Sequence, residues 1–426
     1  MRTKPLRYST LWPMAVLLCS GAGARAQNAL LFVEPADGTF DGFANFGTAA
    51  AISGRTAVVS APNIAPPDLS GSASPTYPYQ GVVNIYGSDA AHTAWVLTGI
   101  LHADDFSDSD RYFGTGLALD GKRLIVSSAG SVFIYEKQRQ AYVLQDKLSV
   151  APDPSAPLIY DNGVLAFRVH DPDAGLEVLV YRVNERGKAH LVSTLTTPDP
   201  ANPSALNGGL SYDASDQSFA IGSETADTLG RVYFYSLRGG EWVLKDSLAA
   251  PSTAADGFGA AVALWKHKLV VGAPAEDSTY DPNFNSTLYA GAVYVYVYEQ
   301  RNGRWVLRQR IATDDPTSPV AGLVGFGSQI ATNGRYVWIT APDANDHNFS
   351  TRPANYSTLF RWDERELTIT LPRAYFANVG GLDMSRRYVL QADGDPIYGE
   401  NAQILDLRLF ESSQTPNSAD DPDTGD

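Results

Sequence analysis

The chain has 426 residues, of which 44% are hydrophobic, 11% aromatic and 19% charged. This excludes a disordered or collagen-like chain, because there is enough apolar and aromatic side chain to build a core. The formal charge of -15, from 32 bases against 47 acids, argues against a nucleic-acid partner, since phosphates are bound by displacing their counterions with Lys and Arg.

Residues 1–26 read as a secretory signal. Arg2, Lys4 and Arg7 precede the apolar run 11–18 (LWPMAVLL), and Ala24-Arg25-Ala26 offers the small-x-small pattern that signal peptidase cuts. Cleavage is expected between Ala26 and Gln27. The run is interrupted by Pro13 and falls well short of the roughly 20 residues a membrane span needs, so no membrane span is expected. Leu18 ahead of Cys19 departs from a lipobox. The expected product is therefore secreted or periplasmic. Cys19 is the only cysteine and leaves with the signal, which removes disulfides and thiolate chemistry from the mature chain.

From residue 46 onward one pattern recurs. Phe-Gly pairs stand at Phe46-Gly47, Phe113-Gly114, Phe258-Gly259 and Phe326-Gly327. Each is followed by a β-rich run, at 56–62 (TAVVSAP), 123–128 (RLIVSS), 268–274 (KLVVGAP) and 336–342 (YVWITAP). After three of these runs come an aromatic alternating strand, as at 81–86, 130–135 and 291–296, and an aromatic-Val-Leu element, as at Trp95-Val96-Leu97, Tyr142-Val143-Leu144 and Trp305-Val306-Leu307. Worn copies in register begin near residues 155, 207 and 379, giving seven copies at a period of roughly 55 residues. Period-2 alternation with Gly and Pro at the boundaries makes each copy four short strands.

A four-stranded sheet repeated at this spacing is a propeller blade. The last copy stops after a third strand read at 402–410, while the mature N-terminus has a spare strand at 28–37 (NALLFVEPAD) that matches the fourth-strand exits. The expected fold is all-β: a seven-bladed β-propeller of four-stranded antiparallel blades over 27–410. The N-terminal strand completes the last blade, closes the ring and removes a free sheet edge. Residues 411–426 hold five acids and no base, the composition of a disordered acidic tail.

The pairing of Phe-Gly with Gly-Ala-Pro, as in Phe258-Gly259 and Gly272-Ala273-Pro274, resembles the FG-GAP repeat of integrin α-subunit propellers and their exported bacterial relatives. Ser60-Ala61-Pro62 and Thr340-Ala341-Pro342 are variants. The resemblance covers roughly 27–410 and implies the propeller fold. It also implies calcium in the turns between the first two strands of a blade. Here those turns are Ser53-Gly54-Arg55, Asp120-Gly121-Lys122 and Asn333-Gly334-Arg335, with one carboxylate at most, whereas calcium needs six to eight oxygens. No cofactor or metal is expected. The acidic run Asp104, Asp105, Asp108 and Asp110 reads as a solvated loop, offset in part by Arg111.

No catalytic motif stands out. The six histidines have no metal-ligand spacing, and there is no Gly-x-Ser-x-Gly elbow, His-Glu-x-x-His or phosphate loop. The loop lengths say more. In an antiparallel blade the 2–3 and 4–1 connections share one face, and the 1–2 and 3–4 turns share the other. Long connections at 63–80, 275–290 and 343–356 fall on the first face. They carry Tyr77, Tyr79, Tyr280, Phe284, Tyr289, His347, Phe349 and Tyr356 among polar residues, a composition suited to protein or glycan surfaces. The expectation is a non-enzymatic binding module, a monomer, that recognises a protein or glycan there. Tucking of these aromatics over the blade edges is the structural alternative. The functional alternatives are a propeller enzyme acting on polysaccharide and a structural component of an envelope assembly.

Overall fold

The computed structural model describes residues 30–33, 45–64, 80–89, 94–103, 107, 110–198, 205–224, 230–252, 256–276, 279–281, 286–288, 290–313, 317–318, 320, 323–342, 355–376, 380–393 and 401–410. Seven four-stranded antiparallel sheets form a β-propeller, and in six of them the strands lie in chain order, the seventh taking its outermost strand from the N-terminus. Blade 1 holds Ala50–Ser53, Thr56–Ala61, Val82–Ser88 and Trp95–Leu101. The innermost and outermost strands of the next five blades are Leu117–Asp120 and Ala141–Leu148, Ile159–Asp161 and Ala189–Leu195, Leu210–Asp213 and Glu241–Ala249, Ala261–Trp265 and Arg304–Ala312, and Ile330–Thr332 and Glu366–Phe376. Blade 7 holds Leu382–Met384, Tyr388–Asp393 and Asn401–Asp406. Its fourth strand is Leu30–Val33, which pairs antiparallel with Asn401–Asp406, Leu30 opposite Leu405 and Val33 opposite Ala402. The N-terminal strand thus closes the ring.

The core lies between the blades. Apolar side chains form seven clusters, one per seam: Val82 and Tyr86 meet Tyr388 and Leu390 of blade 7, whereas Val83 and Ile85 of the same strand meet Phe133 and Tyr135 of blade 2. Successive residues of a strand point to opposite faces, and an inner strand has a blade on either side, so both of its faces are apolar. Thr56–Ala61 is buried at all six positions. The outer strand Trp95–Leu101 is mostly open.

The Phe-Gly and Gly-Ala-Pro halves of the repeat are joined by one hydrogen bond. Gly259 N donates to the Gly272 carbonyl at 3.0 Å, and the same bond runs from Gly47 to Ser60, Gly114 to Ser127 and Gly327 to Thr340. Each Phe is fully buried, and each following Gly has a φ between 94° and 102°, a region costly for residues with a Cβ. Worn blades 4 and 7 keep the bond, from Gly208 to Gly222 and Gly380 to Ala392. Blade 3 has lost the glycine. There Asp153 N donates to the Arg168 carbonyl, and the buried Arg168 guanidinium bonds Asp153, Ser155 and the carbonyls of Leu206 and Gly208. A charged strut spans the seam to blade 4 where other blades use close backbone approach.

A bulge repeats in every outer strand of blades 1–6. Thr98, Gln145, Val192, Lys245, Arg308 and Thr370 are the extra residues, each opposite a register shift in the third strand. Bulges twist a strand and blunt its exposed edge. Just before them lie exposed apolar side chains such as Val96, Leu97 and Leu244. Blade 7 departs from the expected strand at 402–410: its third strand ends at Asp406, and Leu407–Phe410 forms a 3-10 turn. Arg408 N donates to Asp406 Oδ1, and Leu407 N to the Arg387 carbonyl at 2.7 Å. These bonds turn the chain out of the sheet.

Candidate functional site

The long 2–3 connections leave on the face that also carries the 4–1 connections, and the connection of blade 5 has structure of its own. Thr279–Asp281 pairs with Ser286–Leu288 as a separate two-stranded sheet. Its base is pinned by Glu276, whose side chain is 2% exposed. Glu276 Oε2 accepts the Tyr294 hydroxyl at 2.6 Å and Oε1 accepts Arg310 Nε at 2.7 Å, while Gly291 N donates to the Glu276 carbonyl. Burial, then the bond to Glu276, pushes the Tyr294 phenol up. A buried carboxylate is tolerable only when paired and hydrogen-bonded, and this one ties the foot of the hairpin to the third and fourth strands of blade 5.

Blade 2 has a parallel device. Asp110 was expected in a solvated loop; instead its side chain is wholly buried and pairs with Lys147 Nζ at 2.8 Å. Burial pushes its carboxyl up, but bonds from Lys147, Ser107 and Ser131 outweigh this and hold it below the usual range. Lys147 and Arg310 occupy matching outer-strand positions, opposite Phe133 and Tyr294. Asp104, Asp105 and Asp108 lie outside the described residues.

A channel of about 970 Å³ runs down the centre, walled by the innermost strands of all seven blades. At the loop-face end its lining includes Thr48, Thr115, Ser155, Asn207, Ser328 and Gln329. Asn207 Oδ1 accepts Glu224 N at 2.7 Å and its amide donates to the Glu224 carbonyl. Glu224 lines the channel mouth, and burial among the surrounding walls raises its carboxyl. Deeper in, Leu117, Leu210 and Ile330 line the wall. Toward the turn face lie Asp161, Asp213 and Asp383. Burial, followed by the charges of Asp120 and Asp213, raises Asp161. Burial pushes Asp383 up to about 6, against main-chain hydrogen bonds from Ile52 and Met384. The channel therefore presents hydroxyl and amide groups at one end and, at the other, carboxyls that burial raises at Asp161 and Asp383. Among the described residues, no three His, Cys, Asp or Glu side chains are grouped so as to hold a metal.

Of the residues singled out in the sequence, Tyr280 lies in the strand Thr279–Asp281 of this hairpin. Tyr356 is the second residue of the third strand of blade 6, opposite Ala341, and packs partly buried against the seam between blades 5 and 6. Tyr77, Tyr79, Phe284, Tyr289, His347 and Phe349 lie outside the described residues, as do Ala26 and Gln27. Glu276, Asn207, Glu224 and Asp383 were not singled out. One acid among 47 carries no local mark of the wall it will face.

No family model matches the chain, and no curated protein matches it. Solved structures of similar shape include a chain of the mitotic checkpoint complex, at 13% identity and a TM-score of 0.49, covering 95% of this chain and 99% of that one. A candidate 6-phosphogluconolactonase from Bacteroides uniformis gives 12% and 0.46, covering 77% of this chain and 85% of that one. Sqt1 of Saccharomyces cerevisiae gives 9% and 0.42, covering 89% and 98% respectively. At these identities and scores the likenesses carry no argument about what this chain binds or does. Among the described residues, no helix is long and apolar enough to cross a membrane.

Proposed function

We propose that this chain is an exported binding module, related through its Phe-Gly and Gly-Ala-Pro motifs to FG-GAP propellers, that recognises a protein or glycan on its loop face. The observation that carries the reading is the blade 5 arm, a hairpin with its own pairing whose foot is fixed by Glu276, Tyr294 and Arg310. A connection that served only to join two strands would need neither. The arm stands on the face where the channel is lined with hydroxyl and amide groups, which suits recognition by hydrogen bonding on a rigid scaffold. Loop exchange tests it: residues 277–289, 65–79 and 343–354 are replaced by short turns, keeping Glu276. Parent and variant are then compared on a glycan array and in envelope extract. Binding by the parent and not by the variant supports the reading; equal binding by both overturns it.

A second reading has one observation in its favour. Asp161, Asp383 and Glu224 line the channel with carboxyls raised toward neutral pH, the property a general acid needs. It predicts product release from a polysaccharide panel that is lost in Asp383→Asn, with loop-face binding unaffected.

A further inference from the structure

The turn face, opposite the loops, carries a cationic pocket at the seam between blades 5 and 6. Trp265 ends the innermost strand of blade 5, and Trp362 stands near the end of the third strand of blade 6. Lys268 lies between them, its Nζ 4.7 Å from the Trp362 ring centre and 5.6 Å from that of Trp265. Lys266 Nζ is 4.6 Å from the Trp265 ring centre, so two ammonium groups share one indole. Gly334 gives them room: a Cβ there would come within 2.1 Å of the Trp265 ring. Among the described residues no carboxylate lies within ion-pair distance of either lysine, although neighbouring His267 has Asp216 at 3.6 Å. Burial, then the Lys266 charge, holds the Lys268 ammonium below its usual value. Trp362 is 7% exposed, and its buried Nε1 has no acceptor.

Cation–π contacts offset part of the cost of two like charges at one site, and an anion would offset the rest. The chain supplies one. Residues 411–426 contain Glu411, Asp420, Asp421, Asp423 and Asp426 and no base. They follow the 3-10 turn Leu407–Phe410, which sits on this same face: Leu407 N bonds the carbonyl of Arg387 in the 1–2 turn of blade 7, and Phe410 packs at the seam between blades 6 and 7. One blade separates that exit from the pocket, and sixteen residues of extended chain reach about 50 Å. The 1–2 turns of blades 5, 6 and 7 carry Lys266, Arg335, Arg386 and Arg387, and Lys268 begins the strand that follows the first of them. Of these, Arg387 is paired with Asp406 at 2.8 Å, and Asp383 is engaged by the amides of Ile52 and Met384. Asp363, Glu364 and Glu366 also lie on this face, at the 3–4 turn of blade 6 beside Trp362, without pairing with either lysine.

We propose that the lysine–tryptophan pocket between blades 5 and 6 binds an acidic peptide segment, and that its occupant is residues 411–426 of the same chain. Docking is by charge rather than apolar burial, so the segment needs no fold of its own, and it is weakened by salt. Trp265 also lines the channel, so the docked segment lies beside the turn-side mouth.

The test uses the full mature chain and a variant ending at 410. A zero-length carbodiimide joins carboxylates to amines in contact, and the joined peptides are identified by mass. In the monomer of the full chain, the acids of 411–426 are expected to join Lys266 and Lys268, and 1 M salt is expected to abolish this. Acylation of those two lysines should rise about threefold or more on removing 411–426, as expected for a mostly occupied site, while that of Lys122 and Lys137 stays constant. Adding the 411–426 peptide to the shortened chain should restore protection, and the same peptide with its five acids changed to Asn or Gln should not. Equal acylation with and without the tail, or links to other lysines only, overturns the proposal. Links found only in a covalent dimer overturn the own-chain occupant in favour of a second copy.

Discussion

Asp383 Oδ2 accepts the main-chain N–H of Ile52 at 2.7 Å, joining the innermost strands of blades 7 and 1 across 331 residues of chain. Ser211 does the same for Leu264 between blades 4 and 5, at 3.0 Å, and Asp213 accepts the Lys266 amide at that seam. At these two seams, side chains on the channel wall thus tie one inner strand to the next. At the closing seam the tie is a carboxylate, which makes ring closure sensitive to pH.

Asp383 titrates near 6 in the folded protein, above the ordinary carboxylate value of the unfolded chain. A carboxyl whose folded value is raised contributes stability that is fully present below pH 4 and lost as pH rises through about 6. Taken in full this would amount to about 3 kcal/mol, but Asp383 is half-buried on the channel wall, so about 1 kcal/mol is expected. Melting measured from pH 4 to 7.5 should show this loss in the parent and a flatter profile in Asp383→Asn; identical profiles would refute it.

Deleting residues 28–37 removes the strand Leu30–Val33 and leaves Asn401–Asp406 as an open edge. The expected outcome is polymerisation or unfolding, because an unpaired edge recruits other chains. Light scattering after size-exclusion chromatography decides it, and an unchanged mass with an unchanged Tm would show that the ring closes without this strand.

A Cβ on Gly272 would lie 2.0 Å from the Gly327 carbonyl oxygen of the next blade, and backbone cannot move aside as a side chain can. Gly272→Ala should therefore cost about 2 kcal/mol or more and lower the Tm by several degrees. Gly121→Ala, at a turn glycine with φ 55° where a Cβ meets nothing within 4 Å, should cost only about 1 kcal/mol. Comparing the two melting curves separates crowding from conformational strain.

Glu276→Gln keeps the size of the side chain and removes its charge from Tyr294 and Arg310. Local opening of the hairpin foot by about 1–3 kcal/mol is expected. Amide exchange at 279–288 should quicken about tenfold or more, while the inner strands of blade 5 are unaffected.

Millimolar calcium is expected to leave the Tm within about 1 °C, since a ligand stabilises only through a native site. A rise of several degrees, reversed by chelator and absent with magnesium, would place calcium in this propeller.

The number of blades and the closing strand were legible because strand alternation and Gly or Pro punctuation are local properties, written afresh in each repeat. The Phe-Gly and Gly-Ala-Pro residues could be seen as recurring, but their physical link, an amide of one half bonded to a carbonyl of the other, appears only once two strands are brought together. The bulges at Thr98, Gln145 and their equivalents left no sequence mark, since an extra residue is defined only against its partner strand. Asp110 read as solvated because its partner Lys147 lies 37 residues away.

Alternation of side chains along each strand, and the supply of a spare first strand, are set by the sequence alone, because they depend on neighbours in the chain. Which acid is buried, which glycine is crowded, and where Lys268 finds two indoles from different blades are decided by the ring, because each depends on residues that only closure makes adjacent.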